Sequence, residues 1–185
     1  MFDCCYKLQY VDSYFRATKD MGNMFRNCKS LKSINRGGTD MGAVVMSPVT
    51  RASYAFENCY SLPSANLWTP SLTNASRMFK NSTIKYCYMY DGVGIDCNCT
   101  SMFDGCSSMT MFRGNLSNAK TCDYMFRGCS NLTYLLDVGD GHNDTNDMID
   151  ISNCTSAKYM FAYCYKLSTH DGDNIKIVAN NLAKS

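Results

Sequence analysis

The sequence predicts an α/β repeat solenoid: a right-handed coil with a parallel β-sheet on one face, in about seven coils of 23 residues. Three observations predict it. One phrase, "MFRGCSNLTYL" at 125–135, recurs along the chain. Its copies start 23 or 24 residues apart, or at that spacing plus an insertion. Its apolar positions keep one phase, so every copy offers the same columns to its neighbours.

The copies follow in order. The chain opens on "MFDCCYKLQYV" at 1–11, and "MFRNCKSLKSI" follows at 24–34. "AFENCYSLPSA" at 55–65 has Ala in place of Met, and "MFKNSTIKYCY" at 78–88 has Ser82 in the cysteine slot. "MFDGCSSMTMF" at 102–112, the phrase at 125 and "MFAYCYKLSTH" at 160–170 complete the set. The starts at Met1, Met24, Ala55, Met78, Met102, Met125 and Met160 are 23, 31, 23, 24, 23 and 35 residues apart, so two units carry insertions of 8 and 12. Each unit reads M-F-x-x-C-x-x-L-x-x-Φ, where Φ is apolar. The Leu slot holds Leu8, Leu31, Leu62, Met109, Leu132 and Leu167, with Ile84 one residue out of phase in the unit at Met78. The Φ slot holds Val11, Ile34, Ala65, Phe112 and Leu135, while His170 is polar. A period of 20–29 with spaced leucines is that of leucine-rich repeats.

Ahead of each Met-Phe lies a small, polar segment such as "LTNASR" or "NCTSAKY", which reads as a turn feeding a short helical or irregular stretch. One such coil cannot bury both faces of its strand. Stacking coil on coil buries the Met, Phe, Cys and Leu columns in one core. The strands after the Leu slot are expected to pair in parallel, about 4.8 Å apart. The expected organisation is a solenoid over 1–171 and a C-terminal half-coil or cap over 172–185, with Ile175, Ile177 and Val178 apolar.

The apolar fraction of 45% over 185 residues is enough for such a core. A net charge of +2, scattered along the chain, gives no electrostatic case for nucleic acid. No run of 18 apolar residues reads as a membrane-spanning helix, so no membrane insertion is expected. The N-terminus lacks the basic region and apolar core of a secretory signal.

"AFENCYSL" and "MFRGCSNLTYL", with the lead-in "LTNASRMFKNS", resemble the BspA-like leucine-rich repeat family over about residues 1–171. The resemblance implies a non-enzymatic surface protein of the microbial kind, adhering to host or partner proteins. Related repeats are also virus-borne. The chain departs from the family's pattern at Ser82, at His170 and at the two insertions.

Twelve cysteines are the unusual entry in the composition. Cys5, Cys28, Cys59, Cys106, Cys129 and Cys164 share one phase and read as a structural ladder of buried free thiols, a role that suits this small, soft side chain. Neighbours in such a ladder stand at strand spacing, longer than the Cβ separation of a disulfide. Cys4, Cys87, Cys97, Cys99, Cys122 and Cys154 lie off that phase. Cys97-Asn98-Cys99 is too tight for a zinc half-site and lacks a partner pair, so no metal is expected. Nothing marks one thiol as a nucleophile, and no phosphate loop or hydrolase motif occurs; no catalytic residue and no cofactor is expected. "DVGDGHNDTNDMID" at 137–150 offers Asp140, Asp144 and Asp147 to calcium but not at EF-hand spacing, and reads as a solvated loop. Seven N-x-S/T sequons, beginning with Asn74 and Asn81, matter only in a eukaryotic secretory pathway.

The most informative local stretch is "IKYCYMYDG" at 84–92. As a strand it puts Cys87 and Met89 inside and Tyr86, Tyr88 and Tyr90 outside. The same phase turns Tyr10, Ser33, Asn35, Trp68, Met111, Arg113 and Tyr134 outward. Exposed Tyr, Trp, Met and Arg are enriched at interface centres, although such a row also serves as a cross-strand ladder that stiffens the sheet. At the N-terminal end Phe2, Cys5 and Leu8 already occupy core columns, and a preceding segment or a neighbouring subunit is expected to cover them. The expectation is a protein-binding or adhesion module, part of a larger extracellular, cell-surface or virion assembly. The partner would be a protein, such as a host surface protein. A carbohydrate-binding surface module is the alternative, with a glycan as ligand.

Overall fold

The structure, a computed structural model, describes residues 1–12, 15, 17–34, 43–45, 48–136, 148–167 and 176–179. The strands are β1 (Tyr10–Val11), β2 (Ser33–Ile34), β3 (Ala43–Val45), β4 (Ser64–Trp68), β5 (Tyr86–Met89), β6 (Cys97–Asn98), β7 (Met111–Gly114), β8 (Ala119–Thr121), β9 (Tyr134–Leu136), β10 (Met148–Asp150) and β11 (Lys176–Val178). Every pairing between them is parallel. The main sheet runs β3-β4-β5-β7-β9, one strand per turn, and gives a parallel β-solenoid of five turns at the 23-residue period. β1 pairs with β2, and β10 with β11. The last pairing brings residues 176–178, expected as a cap, into register with Met148–Asp150. A second ladder lies away from the main sheet. It joins Asp20, Arg51, Asn74 and Asn98 by single bridges, passes through β6-β8 to Thr121, and reaches Ser156.

The α in the expected α/β class is not there: no described residue is helical. Successive tight turns in each coil replace the helix. In the coil at Met24, the amide of Met24 donates to the Met21 carbonyl (3.0 Å), that of Cys28 to Phe25 (3.1 Å), and that of Leu31 to Cys28 (3.0 Å). The third residue of the first two turns sits at positive φ: Asn23 at 56° and Asn27 at 59°. Later coils repeat this at Tyr54 and Asn58, at Arg77 and Asn81, at Ser101 and Gly105, and at Tyr124 and Gly128. A left-handed residue every four positions breaks the i→i−4 ladder before one helical turn can close. It is also what the third position of a type II turn requires, which is why Asn or Gly precedes the cysteine slot in five coils, Ser82 filling that slot in one of them.

Stacking then satisfies the turn backbone between coils. The Phe25 amide donates to the Ala55 carbonyl (2.9 Å), Phe56 to Met78 (2.7 Å), Phe79 to Met102 (2.8 Å) and Phe103 to Met125 (2.8 Å). The side chains follow the backbone. Phe2, Phe25, Phe56, Phe79, Phe103, Phe126 and Phe161 stack nearly parallel, with centroids 5.2–5.6 Å apart. Phe112 closes the stack edge-on against Phe103 and Phe126, the alternative packing that aromatic quadrupoles favour. In the coil at Met78, Ile84 fills the leucine column and is fully buried.

Candidate functional site: the outer face of the main sheet

Register decides which outward side chains meet. Ser64, Tyr86, Met111 and Tyr134 align in one row across β4, β5, β7 and β9. Asn66, Tyr88, Arg113 and Leu136 align in the next. Trp68 and Tyr90 lie one step further, where the Tyr90 amide donates to the Leu67 carbonyl (3.0 Å). The alternate residues Ala65, Cys87, Phe112 and Leu135, and Leu67 and Met89, point into the core and are buried. Trp68, Tyr86 and Tyr90 are 40%, 44% and 50% exposed, whereas Tyr88, Met111, Arg113 and Tyr134 are half-buried. Tyr10 is exposed but lies on β1 beside Ser33, in another sheet, so the structure does not bring it into this patch. Asn35 and the Asp-rich segment before Met148 fall outside the described residues.

The patch has internal order. The Tyr88 hydroxyl donates to the Met111 sulfur (3.5 Å), and the Trp68 indole N–H donates to Asp91, one period further along the chain. Tyr88, Met89, Tyr90 and Arg113 surround a notch of about 70 Å³. Asn66 is 4% exposed, and its side-chain oxygen has no hydrogen-bond partner.

The six in-phase cysteines are free thiols. Five donate to the carbonyl of the Phe in the preceding coil: Cys28 to Phe2 (3.0 Å), Cys59 to Phe25 (3.2 Å), Cys106 to Phe79 (2.9 Å), Cys129 to Phe103 (3.2 Å) and Cys164 to Phe126 (3.0 Å). Cys5, in the first coil, is half-buried. Ser82, in the same slot, places its hydroxyl 3.6 Å from the Cys106 sulfur. Burial pushes the Cys28 and Cys164 thiols up to about 11 and those of Cys59 and Cys106 to about 12; Cys87 and Cys129 go higher. Thiols held protonated are poor nucleophiles and poor metal ligands. Among the described residues no group of three His, Cys, Asp or Glu could hold a metal ion.

Sequence reading missed one more column. The residue after the Met-Phe or Ala-Phe pair of the first six units runs Asp3, Arg26, Glu57, Lys80, Asp104, Arg127, alternating in sign, and the seventh unit has Ala162 there. Arg26 makes a two-pronged bond to Asp3 (3.2 and 2.7 Å), and Arg127 does the same to Asp104 (2.9 and 2.7 Å). Lys80 reaches Asp104 from the other side at 2.9 Å. Burial alone would raise Asp104, but the two cations outweigh it and hold the carboxyl below its ordinary value. Asn27, Asn58 and Asn81 run parallel to this column and bond to one another, at 2.8 and 3.3 Å. Aligning the units on Met-Phe would have shown both columns.

A parallel solenoid with small turns, one ordered side-chain column per repeat position and an aromatic outer sheet belongs to the repeat modules that work through surface contacts. The family described as "BspA type Leucine rich repeat region" matches in six copies over residues 47–139, half of the chain, and "Mycoplasma protein of unknown function, DUF285" matches residues 1–87. No curated protein and no solved structure matches the chain. The chain belongs to the BspA-type leucine-rich repeat family. Among its described residues no helix is long and apolar enough to cross a membrane.

Proposed function

We propose that the chain is a non-enzymatic adhesion module of a surface assembly and that the outer face of its main sheet docks a protein partner. The observation behind this reading is the register that gathers Trp68, Tyr86, Tyr88, Tyr90, Met111, Arg113 and Tyr134 on adjacent strands, above the unsatisfied oxygen of Asn66. Rigid aromatic area with one guanidinium is the composition of an interface centre. The stack of seven phenylalanines supports a body of seven coils, so the patch sits on a stiff scaffold with little conformational entropy to lose on binding.

The test is site-directed photo-cross-linking on intact cells. A photoreactive residue at Tyr86 is expected to capture one protein, competed away by unlabelled chain. The same residue at Lys158, outside the main sheet, is expected to capture none. Equal capture from both positions, or undiminished competition by a chain carrying Tyr86→Ala, Tyr88→Ala and Tyr90→Ala, would remove the sheet face as the docking surface.

A further inference from the structure

The second ladder carries a feature that the strand face does not explain. Cys97 pairs with Ala119 and Asn98 with Thr121, so Lys120 is an extra residue on β8, a β-bulge. Bulges re-aim side chains and collect beside functional sites. Here the bulge turns the Lys120 ammonium to the Asp96 carboxylate (3.4 Å), and Asp96 itself is held at a φ of 57°. The pair borders an open groove of about 550 Å³ that crosses three coils, completed by Ile95, Asn118, Asn153 and Thr155.

The chemistry of the lining narrows the occupant. Asn118 spends one of its two side-chain amide hydrogens on the Val93 carbonyl (3.3 Å), which leaves the other as a donor and the side-chain oxygen as an acceptor. Thr155 spends its hydroxyl proton on the Lys120 carbonyl (3.2 Å) and likewise keeps acceptor capacity. With the Asp96 carboxylate and the Asn153 amide the groove offers acceptors and donors side by side, the pairing that hydroxyl groups meet, and Lys120 adds an ammonium. The ion pair neutralises itself, so a charged ligand gains little. Ile95, 76% exposed, lies at the rim as an apolar patch. A ligand that meets all of this is neutral, carries several hydroxyl donors on a compact ring and has an apolar C–H face for Ile95. We propose that this groove binds a short neutral saccharide, at a site separate from the aromatic sheet face. The volume is within the range of small-ligand sites.

Backbone amide NMR of the full chain, titrated with lactose, maltose, cellobiose, N,N′-diacetylchitobiose and α-1,2-mannobiose, tests this. At least one disaccharide is expected to give saturable shifts confined to residues near Asp96, Lys120 and Asn153, with a Kd of about millimolar order, as a shallow open site allows. Asp96→Asn and Asn153→Ala are each expected to weaken it about tenfold, since each removes hydrogen bonds to ligand. Both residues are exposed, and unchanged dispersion elsewhere in the spectrum reports that each variant is folded. Tyr88→Ala is expected to leave the titration unchanged. The proposal falls if no sugar of the panel shifts these resonances at about 20 mM, well above a millimolar Kd. It falls equally if the shifts centre on Tyr86–Tyr90, or if they survive both groove substitutions.

Discussion

Raising the pH should unfold this protein well before its exposed lysines titrate, because the core is laid down in protonated thiols. Cys28, Cys59, Cys87, Cys106 and Cys129 are all buried, with folded pKa values pushed to about 11 for Cys28, about 12 for Cys59 and Cys106, and higher for the other two. An unfolded thiol titrates near 8.5. The folded values are raised, so the unfolded chain releases protons first. The stabilisation from burying neutral thiols is complete below about pH 8.5 and declines as pH rises from there toward the folded values. One unit above the unfolded pKa, each thiol has lost a little over 1 kcal/mol of that preference. Five thiols together lose about 7 kcal/mol near pH 9.5, comparable with the whole stability of an ordinary domain. Urea unfolding followed by circular dichroism, with reductant present, should show stability nearly level from about pH 6 to 8 and falling steeply between about pH 8.5 and 10. The thiolate absorbance of the five buried thiols should rise together with the loss of structure. Cys59→Ala and Cys129→Ala should each lower the starting stability yet flatten the alkaline slope by one proton. Unchanged stability at about pH 10 would refute this account of the column.

Four further outcomes follow from named contacts. Asp104→Ala strips Lys80 and Arg127 of their shared partner and should lower stability by about 2 kcal/mol, below the value for a wholly buried pair because both cations reach water; since that carboxyl is held below its ordinary value, the wild-type contribution should persist down to about pH 4 and vanish below it, whereas the variant shows no such acid limb. Gly128, at a φ of 74° in the slot that Asn27, Asn58 and Asn81 fill elsewhere, should accept Asn within about 0.5 kcal/mol, while Val should cost 2 kcal/mol or so in a thermal melt. Ser82→Cys should raise stability by about 1 kcal/mol, because it replaces a buried hydroxyl with the residue used by the other coils; a loss instead would mean that the hydroxyl is well satisfied where it stands. Tyr88→Ala should change stability by less than about 1 kcal/mol and weaken the partner captured through position 86 by 1–2 kcal/mol or more, and the opposite split would make the ring a sheet stiffener.

The columns at the Phe and Leu positions were legible in the sequence because burial imposes one requirement, apolar and of fixed size, at one phase. The missing helix was misread because the deciding residue was treated as variable. Asn27, Asn58, Asn81, Gly105 and Gly128 share a backbone demand for positive φ, not a side-chain size, and Tyr163 meets the same demand without looking like them. The sign alternation from Asp3 to Arg127 was hidden for a related reason: no two neighbours in it are alike, so a search for sameness passes over it. The outward direction of Tyr86, Tyr88 and Tyr90 followed from period 2 alone, but their company did not. Register sets Tyr88 beside Asn66 and Arg113, and a one-residue deletion in the coil at Met78 makes that register hard to count from sequence. Lys120 could not be placed at all, since a bulge reveals itself only where two strands are laid side by side.

The alternating charges also constrain how long a chain of this kind can become. Each coil meets only its neighbours, so removing a whole unit from the gene leaves the Phe and thiol columns continuous. Loss of residues 78–101 would set Cys59 under Cys106 and Phe56 under Phe103, contacts of the kind already present. It would also set Glu57 against Asp104, two acids where the fold expects a pair of opposite sign. Loss of residues 78–124 removes two units and sets Glu57 against Arg127, and the alternation is restored. Copy number in this solenoid therefore has a parity: growth or shrinkage by two coils leaves its electrostatics intact, whereas a step of one leaves a like-charged seam that a second change must repair.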